Sequence, residues 1–163
     1  MTAGSVRMRV DLNGEDRTLV VEPRATLLHA LREVFGLTGT RAGCQEGHCG
    51  TCTVLVDGEP VRSCLMFAVQ AHRTRVETVE GCGDTDALGP LQQAFVDAGA
   101  LGCGYCAPGF LMLAKGLIDR NDLGVDEIVE TVLAANTCSC GNRDALASAI
   151  TTARKAAAPV SPP

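Results

Sequence analysis

Cys44-Gln45-Glu46-Gly47-His48-Cys49-Gly50-Thr51-Cys52 is the stretch that decides how this chain folds, and it runs on to Cys64. The four cysteines stand at the spacing C-x4-C-x2-C-x11-C, with glycines at 43, 47 and 50. That order is a ligand pattern for a [2Fe–2S] cluster, in which each iron takes tetrahedral sulfur coordination. A short loop delivers three sulfurs and a later segment brings the fourth. The glycines admit positive φ and let backbone N–H groups approach closely. Amides so placed point at the sulfurs and offset their negative charge.

The totals limit what surrounds this loop. A chain of 163 residues makes one ordinary domain or two small ones. Apolar residues make up 46% of it, with four Phe, one Tyr and no Trp, so the core is built from Leu, Val and Ala. The net charge of −5 and the lack of a basic run argue against nucleic acid as a partner. No apolar run approaches the roughly 18–20 residues that cross a bilayer. The start, Met1-Thr2-Ala3-Gly4-Ser5-Val6-Arg7-Met8-Arg9-Val10, has no apolar core and no twin arginine. The expected compartment is therefore the cytoplasm. In a reducing compartment nine cysteines point to metal binding or redox work, and an odd number pairs poorly as disulfides.

Outward from the loop, the N-terminal side reads as a hairpin and a helix. Val6–Leu12 and residues 17–21 flank Asn13-Gly14, a strong hairpin signal. Pro23 ends the second strand, and Thr26 caps a helix carrying Leu27, Leu28, Ala30, Leu31 and Val34 until Gly36 stops it. After the loop, 52–56 is a strand, Asp57-Gly58 a turn, 61–64 short and extended, 64–70 a brief helix and 75–79 a strand. Composition shifts at Glu80-Gly81-Cys82-Gly83-Asp84, a polar, glycine-rich joint. Beyond it the periodicity is helical: 91–98 behind Pro90, Pro108 to about Asp119, 126–135, and 143–157 behind Asn142. The tail 158–163 is expected to be mobile. The expected division is 1–80 and 81–163. Halves that small have thin cores, and bound metal contributes to their folding.

The helical half carries a second quartet, Cys103, Cys106, Cys138 and Cys140, at the spacing C-x2-C-x31-C-x-C. Each pair precedes a predicted helix, where N–H groups and the dipole favour thiolates. Two such loops at one end of a bundle make one four-sulfur site. Both an iron–sulfur cluster and a structural zinc ion suit four thiolates. The C-x-C pair is unusual for a zinc ribbon.

Several longer stretches carry a resemblance. They are 43–54 around the first three cysteines, Asp57-Gly58-Glu59-Pro60-Val61-Arg62-Ser63-Cys64, Ala68-Val69-Gln70-Ala71, Thr78-Val79-Glu80-Gly81, Cys103-Gly104-Tyr105-Cys106-Ala107-Pro108-Gly109 and Asn136-Thr137-Cys138-Ser139-Cys140-Gly141. On these the chain resembles the small iron–sulfur subunit of the xanthine dehydrogenase, aldehyde oxidase and aerobic carbon monoxide dehydrogenase family, the molybdenum hydroxylases. The resemblance implies an α+β fold: a plant-ferredoxin-like β-grasp domain followed by a four-helix bundle. It implies two [2Fe–2S] clusters, one on Cys44, Cys49, Cys52 and Cys64 and one on Cys103, Cys106, Cys138 and Cys140. It further implies a large subunit with a molybdopterin cofactor and a medium subunit with FAD. The second quartet then faces the molybdenum side and the first the flavin side. The chain departs from the family pattern at Gly102, where Gln is usual before Cys103. It departs again at Ser139, where Arg is usual, and at Asn142-Arg143.

The remaining residues read as structural. Cys82 is an ordinary thiol at the joint, His48 a loop residue, and His29 and His72 residues on helix faces. Met66, Met112, Phe67 and Phe110 pack the core or a subunit interface, and Asp84 and Asp86 are solvated. No catalytic constellation and no dinucleotide fingerprint appears. The expected activity is electron transfer within a molybdopterin-dependent oxidoreductase, with no substrate-oxidising site on this chain. A free-standing two-cluster ferredoxin or iron–sulfur sensor without a molybdenum partner is the second reading, and a zinc-stapled domain the third.

Overall fold

A computed structural model describes residues 4–84 and 86–157; the expected mobile tail lies outside them. Strands β1 (Val6–Leu12) and β2 (Glu15–Val21) form the first hairpin, in register from Val6 opposite Val21 to Leu12 opposite Glu15. Asn13 and Gly14 both take positive φ, 54° and 83°, the backbone of a two-residue turn that matches strand twist. Strands β3 (Thr53–Val56) and β4 (Glu59–Arg62) repeat the device through Asp57 and Gly58, at φ 51° and 86°. Strand β5 (Arg75–Glu77) lies between the hairpins, parallel to β1 and antiparallel to β3, giving the order β2-β1-β5-β3-β4. Alternate residues Met8, Val10 and Leu12 of β1 and Leu19 and Val21 of β2 turn onto one face. There they meet Leu27, Leu31, Val54 and Val76 in one core.

Three expected elements differ in detail. The first helix starts as predicted, with Thr26 Oγ1 accepting from the His29 amide at 3.2 Å. It makes a single α-turn, α1 (Leu27–His29), and then widens into a π-turn over Ala30–Val34 that closes from the Phe35 amide to the Ala30 carbonyl. The helix expected over 64–70 is a 3₁₀ turn at Ala68–Ala71. The segment before it is drawn out because Leu27 and Leu28 donate to the carbonyls of Met66 and Ser63, and Thr26 bridges Phe67. The strand expected over 75–79 ends at Glu77, since Val79–Cys82 already coils as a 3₁₀ turn. There Asn13 reaches back, accepting from the Thr78 amide at 2.8 Å and donating to Thr78 Oγ1 at 3.0 Å.

The bundle follows as predicted, in α2 (Pro90–Asp97), α3 (Ala107–Arg120), α4 (Val125–Ala135) and α5 (Arg143–Ala156). Pro90 and Pro108 sit in first turns, where no amide hydrogen is missed. Asn142 Oδ1 caps α5 from the Asp144 and Ala145 amides. Helix α3 is apolar on nearly all sides because it is covered on nearly all sides. One side packs on α2 and α4, and the other presses on β3 and β4. Two glycines, one in the first turn of α3 and one about two turns further on, make that second contact close. A Cβ at Gly109 would lie 2.2 Å from the Gly50 carbonyl oxygen, and one at Gly116 2.7 Å from Pro60. The helical core around Phe95, Phe110, Ile128, Val132, Leu146 and Ile150 is separate from the sheet core.

Candidate metal centres

Contacts link the predicted cysteines within each half: the first four meet as two pairs of thiols, and in the second four Cys138 meets both Cys106 and Cys140 while Cys103 approaches Cys140 through its amide. Cys44 and Cys49 hydrogen-bond to one another, as do Cys52 and Cys64. In the second group Cys106 meets Cys138, and the Cys103 amide donates to Cys140 Sγ at 3.3 Å. Among the described residues no three His, Cys, Asp or Glu side chains are arranged around one metal ion.

The first group is a cradle of amides. Gln45 takes φ 58° and Gly47 φ 82°, which turns the loop around the sulfurs. The Glu46 and Cys49 amides donate to Cys44 Sγ at 3.4 and 3.3 Å, and the Cys44 amide donates to Cys49 Sγ at 3.3 Å. Thr51 Oγ1 lies 3.1 Å from Cys49 Sγ. Donors of this kind favour thiolate over thiol: the Glu46 and Cys49 amides bring Cys44 down to about 6. Cys64 behaves oppositely. Burial, and then the neighbouring Cys52, push it up to about 11. The glycine at 43 is required by closeness, since a Cβ there would lie 2.6 Å from both Cys49 Sγ and Thr51 Oγ1. Cys52 and Cys64 are buried against Leu28, while Gln45, Glu46 and His48 are exposed.

The second group is held by the entries to α3 and α5. Cys106 is the N-cap residue of α3, and burial pushes its thiol to about 12. Burial also acts on Cys138, but hydrogen bonds from Cys106 and from the Cys140 and Gly141 amides outweigh it and lower that thiol. The Gly141 amide lies 3.0 Å from Cys138 Sγ. Cys103 and Cys140 are exposed at the outer edge. Gly102 stands beside them at φ 53°, where a Cβ would be 3.0 Å from Cys140 Sγ.

Most other residues take the places their chemistry suggests. His48 is an exposed loop residue, and Phe110 and Met112 are buried in the helical half. Cys82 lies against Met112 Sδ at 3.4 Å, and burial pushes its thiol to about 11. His72 does not sit on a helix face; it ends the 3₁₀ turn, and its Nδ1 accepts from the Arg9 amide at 3.0 Å. Phe67 is half exposed, which of its two expected places leaves a subunit interface.

Sequence reading missed the residues that tie the two groups together. The Thr137 amide, next to Cys138, donates to the Cys49 carbonyl at 3.0 Å. Tyr105 Oη, between Cys103 and Cys106, donates to the Ala42 carbonyl at 2.8 Å. Arg62 spans from β4 to the end of α4. Only their neighbourhood to cysteines in the sequence pointed to them.

Comparison with known proteins gives a consistent result. Residues 10–83 match the model of the 2Fe-2S iron–sulfur cluster binding domain, and residues 78–151 match that of the [2Fe-2S] binding domain. The small FeS subunit of nicotinate dehydrogenase from Eubacterium barkeri is 44% identical over 83% of this chain and 86% of that protein. Subunit beta of the 6-hydroxypseudooxynicotine dehydrogenase complex from Paenarthrobacter nicotinovorans is 46% identical over 82% of this chain and 84% of its own length. In the crystal structure of quinoline 2-oxidoreductase from Pseudomonas putida 86, one chain superposes with a TM-score of 0.87 at 44% identity, covering 94% of this chain and 96% of that one. Aldehyde oxidoreductase from Desulfovibrio gigas gives 0.84 at 37% identity, over 91% of this chain and 17% of that longer one.

Proposed function

The chain belongs to the family of small [2Fe–2S] subunits of the molybdenum hydroxylases, and from that premise we propose how its two halves divide the work. Residues 1–80 form a ferredoxin-like domain whose Cys44, Cys49, Cys52 and Cys64 hold one cluster. Residues 81–163 form a helical domain whose Cys103, Cys106, Cys138 and Cys140 hold the other. The observation that carries this assignment is the gathering of each set of cysteines under backbone amides that donate to Cys44, Cys49, Cys138 and Cys140. When bound, each cluster supplies a one-electron relay, its potential set by hydrogen bonds to sulfur, charge and exposure.

The chain is the electron-transfer subunit of such an enzyme, and its partners are a large molybdopterin-binding subunit and a medium FAD-binding subunit. The exposed edge at Cys103 and Cys140 fits the side towards molybdenum. The loop at Gln45, Glu46 and His48 fits the side towards flavin. This chain orients both sites, shields Cys52, Cys64 and Cys106 from water and leaves one edge of each open. Substrate choice rests on the large partner. Relatives whose names mention nicotinate and caffeine match this chain about equally, at 44% and 41% identity. No helix among the described residues is long and apolar enough to cross a membrane. A reducing, cytoplasmic setting suits a chain with nine cysteines of which eight serve as metal ligands.

Purification of the chain from its own cells tests this reading. The expected product is a complex carrying FAD and about one molybdenum for four iron atoms. A chain isolated alone with its iron, or with zinc in place of iron, would overturn it.

A further inference from the structure

The two sites meet along one short seam. The segment from the end of α4 to Cys138 lies on Cys49 and Gly50 of the first loop, joined by the hydrogen bond from the Thr137 amide to the Cys49 carbonyl at 3.0 Å. That seam is tight. A Cβ at Gly50 would lie 1.8 Å from Asn136 Oδ1 and 3.0 Å from the Ala135 carbonyl oxygen. Asn136 is buried, and its Oδ1 has no hydrogen-bond partner among the described residues. Close approach is therefore held by something other than the Asn136 carbonyl.

Arg62 is placed to hold it. On β4 it sits directly across from Thr53 of β3, which turns its guanidinium over the start of β3. Nη1 reaches Thr53 Oγ1 and donates to the Gly50 carbonyl at 3.4 Å. Nη2 donates to the Ala135 carbonyl at 2.6 Å, at the negative end of α4. One planar fork thus spans both sides of the seam, a geometry that a single ammonium does not reproduce. On the first side it holds the residue that follows Cys49. On the second it holds the carbonyl three residues before Cys138.

We infer that Arg62 is a positioning residue that fixes the separation of the two cluster sites by clamping the Ala135 and Gly50 carbonyls together. It touches neither quartet and acts through Gly50 and through the strand leading to Cys138. The inference rests on the two-cluster assignment above, and its test separates the two.

The test uses the assembled complex reduced with dithionite, so that both clusters are paramagnetic. The readout is the magnetic splitting between their EPR signals at low temperature, alongside the integrated amount of each signal. Arg62→Gln removes the charge, and Arg62→Lys keeps the charge but loses the fork. Both variants are expected to retain both signals in full amount while the splitting collapses. Loss of splitting in Arg62→Lys as well as Arg62→Gln assigns the effect to geometry rather than charge. Native splitting in both variants, with only a lower melting temperature, would overturn the inference and leave Arg62 a plain stabiliser. Should the Arg62 variants fail to fold, Thr53→Val keeps the side-chain shape but removes the hydroxyl that seats Nη1 and itself donates to the Gly50 carbonyl at 2.7 Å, loosening the Gly50 side of the clamp. A reduced splitting there supports the inference, and an unchanged one overturns it. Absence of two signals in the native complex would instead defeat the two-cluster assignment.

Discussion

Cys44, Cys64 and Cys106 show how one residue type is given different tasks by its surroundings. Cys44 is lowered to about 6 by the Glu46 and Cys49 amides, while burial raises Cys64 to about 11 and Cys106 to about 12. Above its lowered value Cys44 is thiolate, so at pH 7 it is largely ionised, whereas Cys64 and Cys106 remain thiols there. In the metal-free chain, iodoacetamide at pH 7 is expected to alkylate Cys44 well ahead of Cys64 and Cys106, as read by peptide mass spectrometry. Dropping the pH from 7 to 5 should slow labelling at Cys44, because protonation removes the nucleophile. Equal labelling of Cys44 and Cys64 would contradict the amide cradle. Gly50 belongs to the same scale. At φ 77° and with Asn136 Oδ1 in the space of its missing Cβ, Gly50→Ala is expected to cost about 2–4 kcal/mol in a denaturant melt. The cysteines and glycines were legible from spacing alone. Arg62 was not, because its partner Ala135 is 73 residues away and nothing local marks a side chain that bridges two halves.

Elements were legible where a short signal decides them. Asn13-Gly14 and Asp57-Gly58 fixed both hairpins, Pro90 and Pro108 marked helix starts, and Asn142 marked the cap of α5. Asn142→Ala is expected to destabilise the chain by about 1 kcal/mol, read by thermal melting, through two amides left without their acceptor. The π-turn at Ala30–Val34 and the drawn-out 63–67 segment were not legible. The drawn-out segment follows from hydrogen bonds to the first amides of α1, 35 residues or more upstream, while nothing local in the sequence marks the π-turn. The separate cores lead to a prediction at this scale. Cys140→Ser, at the outer edge of the second site, should remove that site's EPR signal and leave the first site's signal in place. Loss of both together would mean that the sheet domain cannot keep its cluster without the helical one.

At the scale of the whole molecule, the chain is two thin-cored halves pressed together by α3 and stitched at the seam between Cys49 and Thr137. The order of the halves places one exposed cysteine edge on the helical side and one exposed loop on the sheet side, which is what an electron relay between two partner subunits requires. The central claim is that the eight thiols hold two iron–sulfur clusters and not one cluster or a zinc ion. Iron and acid-labile sulfide, measured per chain in the purified protein, test it most directly. The account predicts about four of each; about two of each, or zinc without sulfide, would contradict it.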